Sequence, residues 1–240
     1  MALPAIMLDM VCQAAKEQGG GAACSAGYPD LLISPQHLDD LLGAGTSSEI
    51  PVRADSERIL AWHGVTKLFD RVYDTVAVFQ KLGYSLDVID IHAARGNEII
   101  LDLNHPLPTD FSRTYDLVLD TGTCEHCFNI GQAAINLASL VKAKGIIVQA
   151  MPLNSFNHGF YNVNPTWFHD FYPANGFSIL FLRGVTNVVK SPEDFDLPAF
   201  ERFFEVPRNS IMLLAARRDE ARPLMMPVQH KYAVNPGLGK

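Results

Sequence analysis

The chain has 240 residues, 48% of them hydrophobic and 19% charged, with a formal net charge of −7. That length suits one domain with a full core, and the composition is that of an ordinary globular protein. The acidic balance speaks against a nucleic-acid-binding surface, and four cysteines are too few for a disulfide framework.

The opening segment, MALPAIMLDMVCQAAKEQ, has no basic leader, is interrupted by Asp9 and is too short to span a bilayer. No membrane partner and a cytoplasmic location are expected. Residues 4–17 repeat Ile6, Met10 and Ala14 on one face and predict a helix ended by Gly19, Gly20 and Gly21. The small-residue run AACSAGYPD then predicts a strand that turns at Gly27. Ser34 as cap and Pro35 at the first helical position start a second helix, buried through Leu38, Leu41 and Leu42 and stopped by Gly43. A surface loop is expected over 43–55 and one helix over 56–82, with Leu68, Phe69, Val72, Val76 and Phe79 as its stripe.

Three apolar runs, Leu86–Ile91, Glu98–Leu103 and Asp116–Thr121, read as buried parallel strands. A helix over 130–142, a strand over 146–150 and a helix from Pro165 to about Pro173 follow. Strand candidates at 178–182 and 210–216 close the pattern. The expected fold is α/β: a doubly wound, mostly parallel seven-stranded sheet with an antiparallel edge strand. One domain would cover 1–222, with a Pro/Gly-rich tail over 223–240.

Chemistry concentrates between Leu86 and His126. Asp90 and Asp102 fall at or near the ends of successive strands, and the carboxyl ends of such strands are where an open α/β sheet binds ligand. One acid can take both hydroxyls of a ribose, and the next can accept from an adenine amino group. The pair therefore points to an adenosyl cofactor; each acid alone is equally a strand-end cap or a surface turn. Cys124-Glu125-His126-Cys127 lacks the second Cys/His cluster that a four-ligand zinc site needs, so two buried thiols and no metal are expected. The segment 151–172 is dense in aromatic and amide side chains, as a small-molecule pocket requires. Within it His158 and Tyr161, in a Gly-containing loop, are candidates to face substrate. Phe156, Phe160, Trp167, Phe168 and Phe171 read mainly as packing, and His169 as structural.

The ordered marks resemble the class I S-adenosylmethionine-dependent methyltransferases. They are Gly27, Asp90, Asp102-Leu103-Asn104-His105-Pro106-Leu107-Pro108, and Tyr115-Asp116-Leu117-Val118 leading to Glu125-His126. The resemblance runs from about Ala22 to Ala216. It is nearest a small bacterial subgroup with a degenerate glycine loop, here CSAGYPD, and a series like Asn157-His158-Gly159-Phe160-Tyr161. It implies S-adenosylmethionine as cofactor. Asp90 would then hold the ribose, Ile91 would line the adenine face, and Asp102 would accept from the adenine amino group beside the Leu103 amide. The Gly27 turn would approach the methionine part, bordered by Thr121, Gly122 and Thr123. Related ubiquinone-pathway O-methyltransferases carry a metal-binding glutamate where Gly122 stands, so metal assistance is not expected. His126 and His158 are the candidate bases, His126 having packing over the cofactor as its alternative. Glu125, His158 and Tyr161 are the candidate substrate contacts.

The implied activity is methyl transfer to a small molecule, as O-methylation of a sugar or secondary metabolite. The competing expectation is a catalytically silent binding or assembly protein on the same scaffold. A nicotinamide-dependent oxidoreductase ranks below both, because no Gly-x-Gly-x-x-Gly turn follows the first strand. A homodimer is left open.

Overall fold

A computed structural model describes residues 1–235. The chain begins with β1 (Ala2–Pro4) and α1 (Ala5–Gln18), which ends at Gly19 in left-handed backbone, φ 76°. Then come β2 (Gly21–Ala26), β3 (Asp30–Leu32), α2 (Pro35–Leu42), α3 (Thr46–Glu49), α4 (Ser56–Trp62) and α5 (Thr75–Lys81). The next strands are β4 (Tyr84–Asp90), β5 (Glu98–Ile100) and β6 (Tyr115–Asp120), followed by a single 3-10 turn at Cys124–His126 and α6 (Ile130–Leu140). The remainder is β7 (Val141–Asn154), α7 (Pro165–Ala174), β8 (Phe177–Thr186), β9 (Glu193–Phe195), β10 (Ser210–Arg218) and α8 (His230–Val234).

The main sheet has eight strands in the order β5-β4-β2-β6-β7-β10-β8-β9. The five from β5 to β7 pair in parallel; β10 runs antiparallel to both β7 and β8, and β9 antiparallel to β8. Alternate residues of β6 serve opposite faces. Leu117 and Leu119 join the core beneath α1, α2 and α5, while Val118 joins the one beneath α6 and α7. Covering both faces is what makes these strands continuous apolar runs.

The sheet is doubly wound and mostly parallel as expected, but it has eight strands and β10 is an interior strand. The edge is β9, which lies in the acidic segment between the last two predicted strands. Met212, Leu213 and Leu214 of β10 are fully buried, whereas Ser178 and Leu180 of β8 are exposed. The unbroken apolar run Ile211–Ala216 fits that central place.

The expected helix over 56–82 is two helices. α4 ends at His63, and Gly64 turns the chain at φ 66°. Tyr73 then bridges to both Leu31 and Val52, and the Asp74 carboxylate caps α5 by accepting from Ala77 N–H at 2.8 Å. Val72 is buried beside that bridge, and Leu68 is exposed. The stripe thus merged residues of a helix, a turn and a bridge.

A separate parallel pair, β1 with β3, places Met1 at the carboxyl end of the main sheet. Beyond Arg222 the chain is tied to α7 and the turn after it. Met225 N–H donates to Asn175 Oδ1 at 2.7 Å, and His230 N–H donates to Asp170 Oδ2 at 3.1 Å. Among the described residues no helix is long and apolar enough to cross a membrane. The last part of the predicted tail, 236–240, lies outside the described residues.

Candidate functional site

The chain leaves β2 for β4 and β5 on one side, then crosses back to β6 on the other. That reversal leaves a crevice outside the carboxyl ends of β2 and β6, the general ligand position of open α/β sheets. A crevice of about 200 Å³ lies there, lined by Gly27, Asp90, Ile91, Asp102, Leu103 and Thr123 of the predicted set, together with His126 and Met1. Asp90 and Met1 also line an adjoining crevice of about 520 Å³ with Tyr28, Trp62 and Arg95. A further cavity of about 570 Å³ lies away from these residues, between α1, α2 and the 188–192 segment.

Asp90 ends β4, paired with Ile100 of β5. Its carboxylate accepts one long bond, from His92 N–H at 3.3 Å, so most of its acceptor capacity faces the crevice. Asp102 lies two residues past β5 in a turn closed on itself. Its Oδ1 accepts from Asn104 N–H at 2.9 Å and Nδ2–H at 2.8 Å, which holds the carboxyl below the usual range. Its other oxygen is free of these bonds. The turn is anchored from α6: Asn136, buried, donates to the carbonyls of Leu103 at 3.1 Å and His105 at 2.8 Å. Asn129 N–H, at the start of α6, donates to Asn104 Oδ1 at 2.9 Å.

The loops after β2 and β6 are locked together. Gly27 has φ 71°, its N–H donates to Ile89 O at 2.7 Å, and Thr123 Oγ1 donates to Ala26 O at 2.7 Å. A Cβ on Gly27 would stand 3.0 Å from Thr123 Oγ1, so only glycine allows this approach. Asp120, fully buried at the end of β6, holds the following turn. Its Oδ1 accepts from the N–H groups of Gly122 at 3.2 Å and Thr123 at 2.6 Å, and its Oδ2 from Gln149 Nε2 at 2.8 Å. Burial, then the neighbouring Glu125, push the Asp120 carboxyl up to about 6. Thr121 Oγ1 is buried with no hydrogen-bond partner.

Met1 occupies the saddle between the two loops. A Cβ on Gly27 would meet Met1 Cγ at 2.5 Å, and one on Gly122 would meet Met1 Cε at 3.1 Å. Asp90 and Asp102 line one end of the crevice, whereas the glycine end, expected to take the methionine part of a cofactor, holds a methionine side chain of the protein itself.

Glu125, His126 and His158 come together beside that saddle, one ligand atom of each within 4.8 Å of the others. His158 Nε2 is 3.4 Å from Glu125 Oε1, and that contact raises the His158 pKa above its ordinary value against the opposing effect of burial. Tyr161 lies in the same loop, and its hydroxyl donates to Phe128 O at 2.7 Å. His169 is removed from the group and packs against Phe200 with the rings tilted at 44°. Cys124 and Cys127 are free, buried thiols; burial pushes Cys127 up to about 11 and Cys124 well above its ordinary value, the reverse of what thiolate chemistry needs.

Asp120, Asn136 and Met1 join the site in addition to the residues predicted from the sequence. Asp120 carried a signal, as an acid ending an apolar strand like Asp90. Asn136 sits within a helical apolar pattern, and Met1 depends on the β1–β3 pairing; neither has a local mark.

No family model and no curated protein matches this chain. Among solved structures it is similar to TehB from Haemophilus influenzae, with TM-score 0.41 and 10% identity over 87% of this chain and 61% of that one. It thus spans less than two thirds of that relative's length. It is also similar to the N-methyltransferase NodS from Bradyrhizobium japonicum WM9, with TM-score 0.37 and 8% identity, covering 89% of this chain and 95% of that one. A third is a methyltransferase from Thermotoga maritima described as a possible histamine N-methyltransferase, with TM-score 0.35 and 10% identity over 90% and 91% of the two chains. These likenesses are of fold alone.

Proposed function

We propose that this protein binds S-adenosylmethionine at the carboxyl ends of β2, β4, β5 and β6 and transfers its methyl group to a small molecule. The observation that carries the reading is that Asp90 and Asp102, at the tips of adjacent strands, line one crevice with Gly27 and Thr123. Asp90 would take the ribose hydroxyls and Asp102 the adenine amino group, with Ile91 and Leu103 against the base. The methionine part would border Thr121, Gly122 and Thr123 once Met1 leaves the saddle.

Methyl transfer from a sulfonium is an in-line displacement, so the protein chiefly orients the two reactants and excludes water. His126 lines the crevice and His158 stands beside Glu125, so either is a base for a hydroxyl acceptor, in keeping with O-methylation of a sugar or secondary metabolite. Calorimetric titration with S-adenosylhomocysteine tests the reading; absence of saturable binding at high micromolar ligand rejects it.

The second reading, a silent binding or assembly protein, is favoured by Met1 in the glycine saddle. Cofactor binding without product across a broad panel of hydroxyl, amine and thiol acceptors would select it. A methylated product from any of them would exclude it.

A further inference from the structure

We propose that Glu125, His126 and His158 form a binding site for a divalent transition cation, open on the side of the acceptor. Two imidazoles and one carboxylate, with coordination positions left over, are the donor set of open zinc and non-haem iron sites. The three residues come from two segments, the 3-10 turn after β6 and the loop after β7, which backbone contacts hold together. Phe160 N–H donates to Glu125 O at 2.8 Å. A Cβ on Gly159 would stand 2.8 Å from Glu125 O and 2.9 Å from its Cγ. A Cβ on Gly122 would stand 2.9 Å from Glu125 Oε1, so glycines on both sides make room for this one carboxylate.

The carboxylate itself is the second observation. Glu125 is 1% exposed, and its Oε2 is buried with no hydrogen-bond partner. Asp120, fully buried, holds the same turn by accepting from the N–H groups of Gly122 and Thr123. Among the described residues His158 is the one basic group within ion-pair distance of either. Two buried carboxylates with so little positive charge between them are unfavourable unless a proton or a cation is shared. A divalent ion on the free Oε2 supplies that charge.

Both imidazoles are exposed. Donors sharing one ion at about 2.1 Å stand about 3–4 Å apart, so modest ring rotations bring the present 4.8 Å group into coordination. The ion's role, holding an acceptor hydroxyl and lowering its pKa beside the methyl donor, rests on the methyl-transfer reading; the site does not.

The test strips the 240-residue chain with a chelator and titrates Co²⁺, following its visible absorption, with Zn²⁺ as competitor. One equivalent should bind, and His126→Ala, His158→Ala and Glu125→Gln should each weaken binding by about tenfold or more. The paired Cys124→Ser, Cys127→Ser variant should bind as the parent does. The histidines are exposed, so their variants keep the fold, and urea melts check Glu125→Gln. No saturable signal, binding unchanged in both histidine variants, or binding lost only with the cysteines would each overturn the proposal. The readout needs no methyl donor. A failed cobalt titration with intact S-adenosylhomocysteine binding therefore rejects the metal alone, and the reverse rejects only the cofactor.

Discussion

Replacing Asp90 with alanine should weaken S-adenosylhomocysteine binding far more than replacing Asp102 does. Asp90 accepts only one long bond, from His92 N–H at 3.3 Å, so both oxygens can take ribose hydroxyls. Hydrogen bonds to a charged group contribute about 1.5–3 kcal/mol each. Two at the lower bound are worth about 3 kcal/mol, or roughly a hundredfold in affinity. Asp102 already satisfies two Asn104 donors, and its side chain is 46% exposed, so it offers one solvent-screened bond to the base. Asp102→Ala should therefore cost about tenfold or less. Asp90→Asn, which keeps one carbonyl acceptor, should fall between. Calorimetry at fixed pH and salt, with urea melts to confirm folding, measures all three. Equal losses for the two alanine variants, or wild-type affinity in Asp90→Ala, would refute the division of labour between the strand tips.

Asn136→Ala leaves the Leu103 and His105 carbonyls without their donor, and should lower stability by about 2 kcal/mol in urea titrations. An effect below a few tenths of a kcal/mol would mean that water replaces the amide. Gly159→Ala places a methyl on Glu125 and should destabilise by about 1–3 kcal/mol while separating His158 from Glu125. Loss of the elevated His158 pKa, followed by NMR, checks it. Asp120 carries a folded pKa raised to about 6, so its stabilising contribution is full below its unfolded value and is lost as pH rises through about 6. In chelator, wild type should therefore lose up to about 3 kcal/mol relative to Asp120→Asn between pH 4 and 7. A difference that stays flat across that range would contradict it.

The strands that build the crevice were legible because burial on both faces writes itself as unbroken apolar sequence. Val88-Ile89 and Leu117-Val118-Leu119 are fully or almost fully buried and bounded by polar turns. Asp90 and Asp102 could be placed on one wall because a strand end has a direction and the next strand is its parallel neighbour. What pairs over distance was hidden. The place of β10 depends on which strands it joins, and the apolar run Ile211–Ala216 marks a buried strand without naming its neighbours. The break between α4 and α5 escaped because Tyr73 pairs with Leu31 and Val52, contacts that helical periodicity cannot encode. Glu125 was visible as a residue next to a histidine, but its burial comes from Gly122 and Gly159, one of them in another segment.

The Met1 side chain in the Gly27–Gly122 saddle makes occupancy of the crevice and the registry of the first residues a single equilibrium. Met1 is carried by the short ladder that pairs Ala2 with Asp30 and Leu3 with Leu31. Whatever fills the saddle must dislodge that side chain, and by reciprocity anything that tightens the ladder lowers affinity for the occupant by the same factor. Amide exchange along Leu3 and Leu31 therefore becomes a gauge of the distant-looking event, quickening as a nucleoside thioether enters and slowing as it departs.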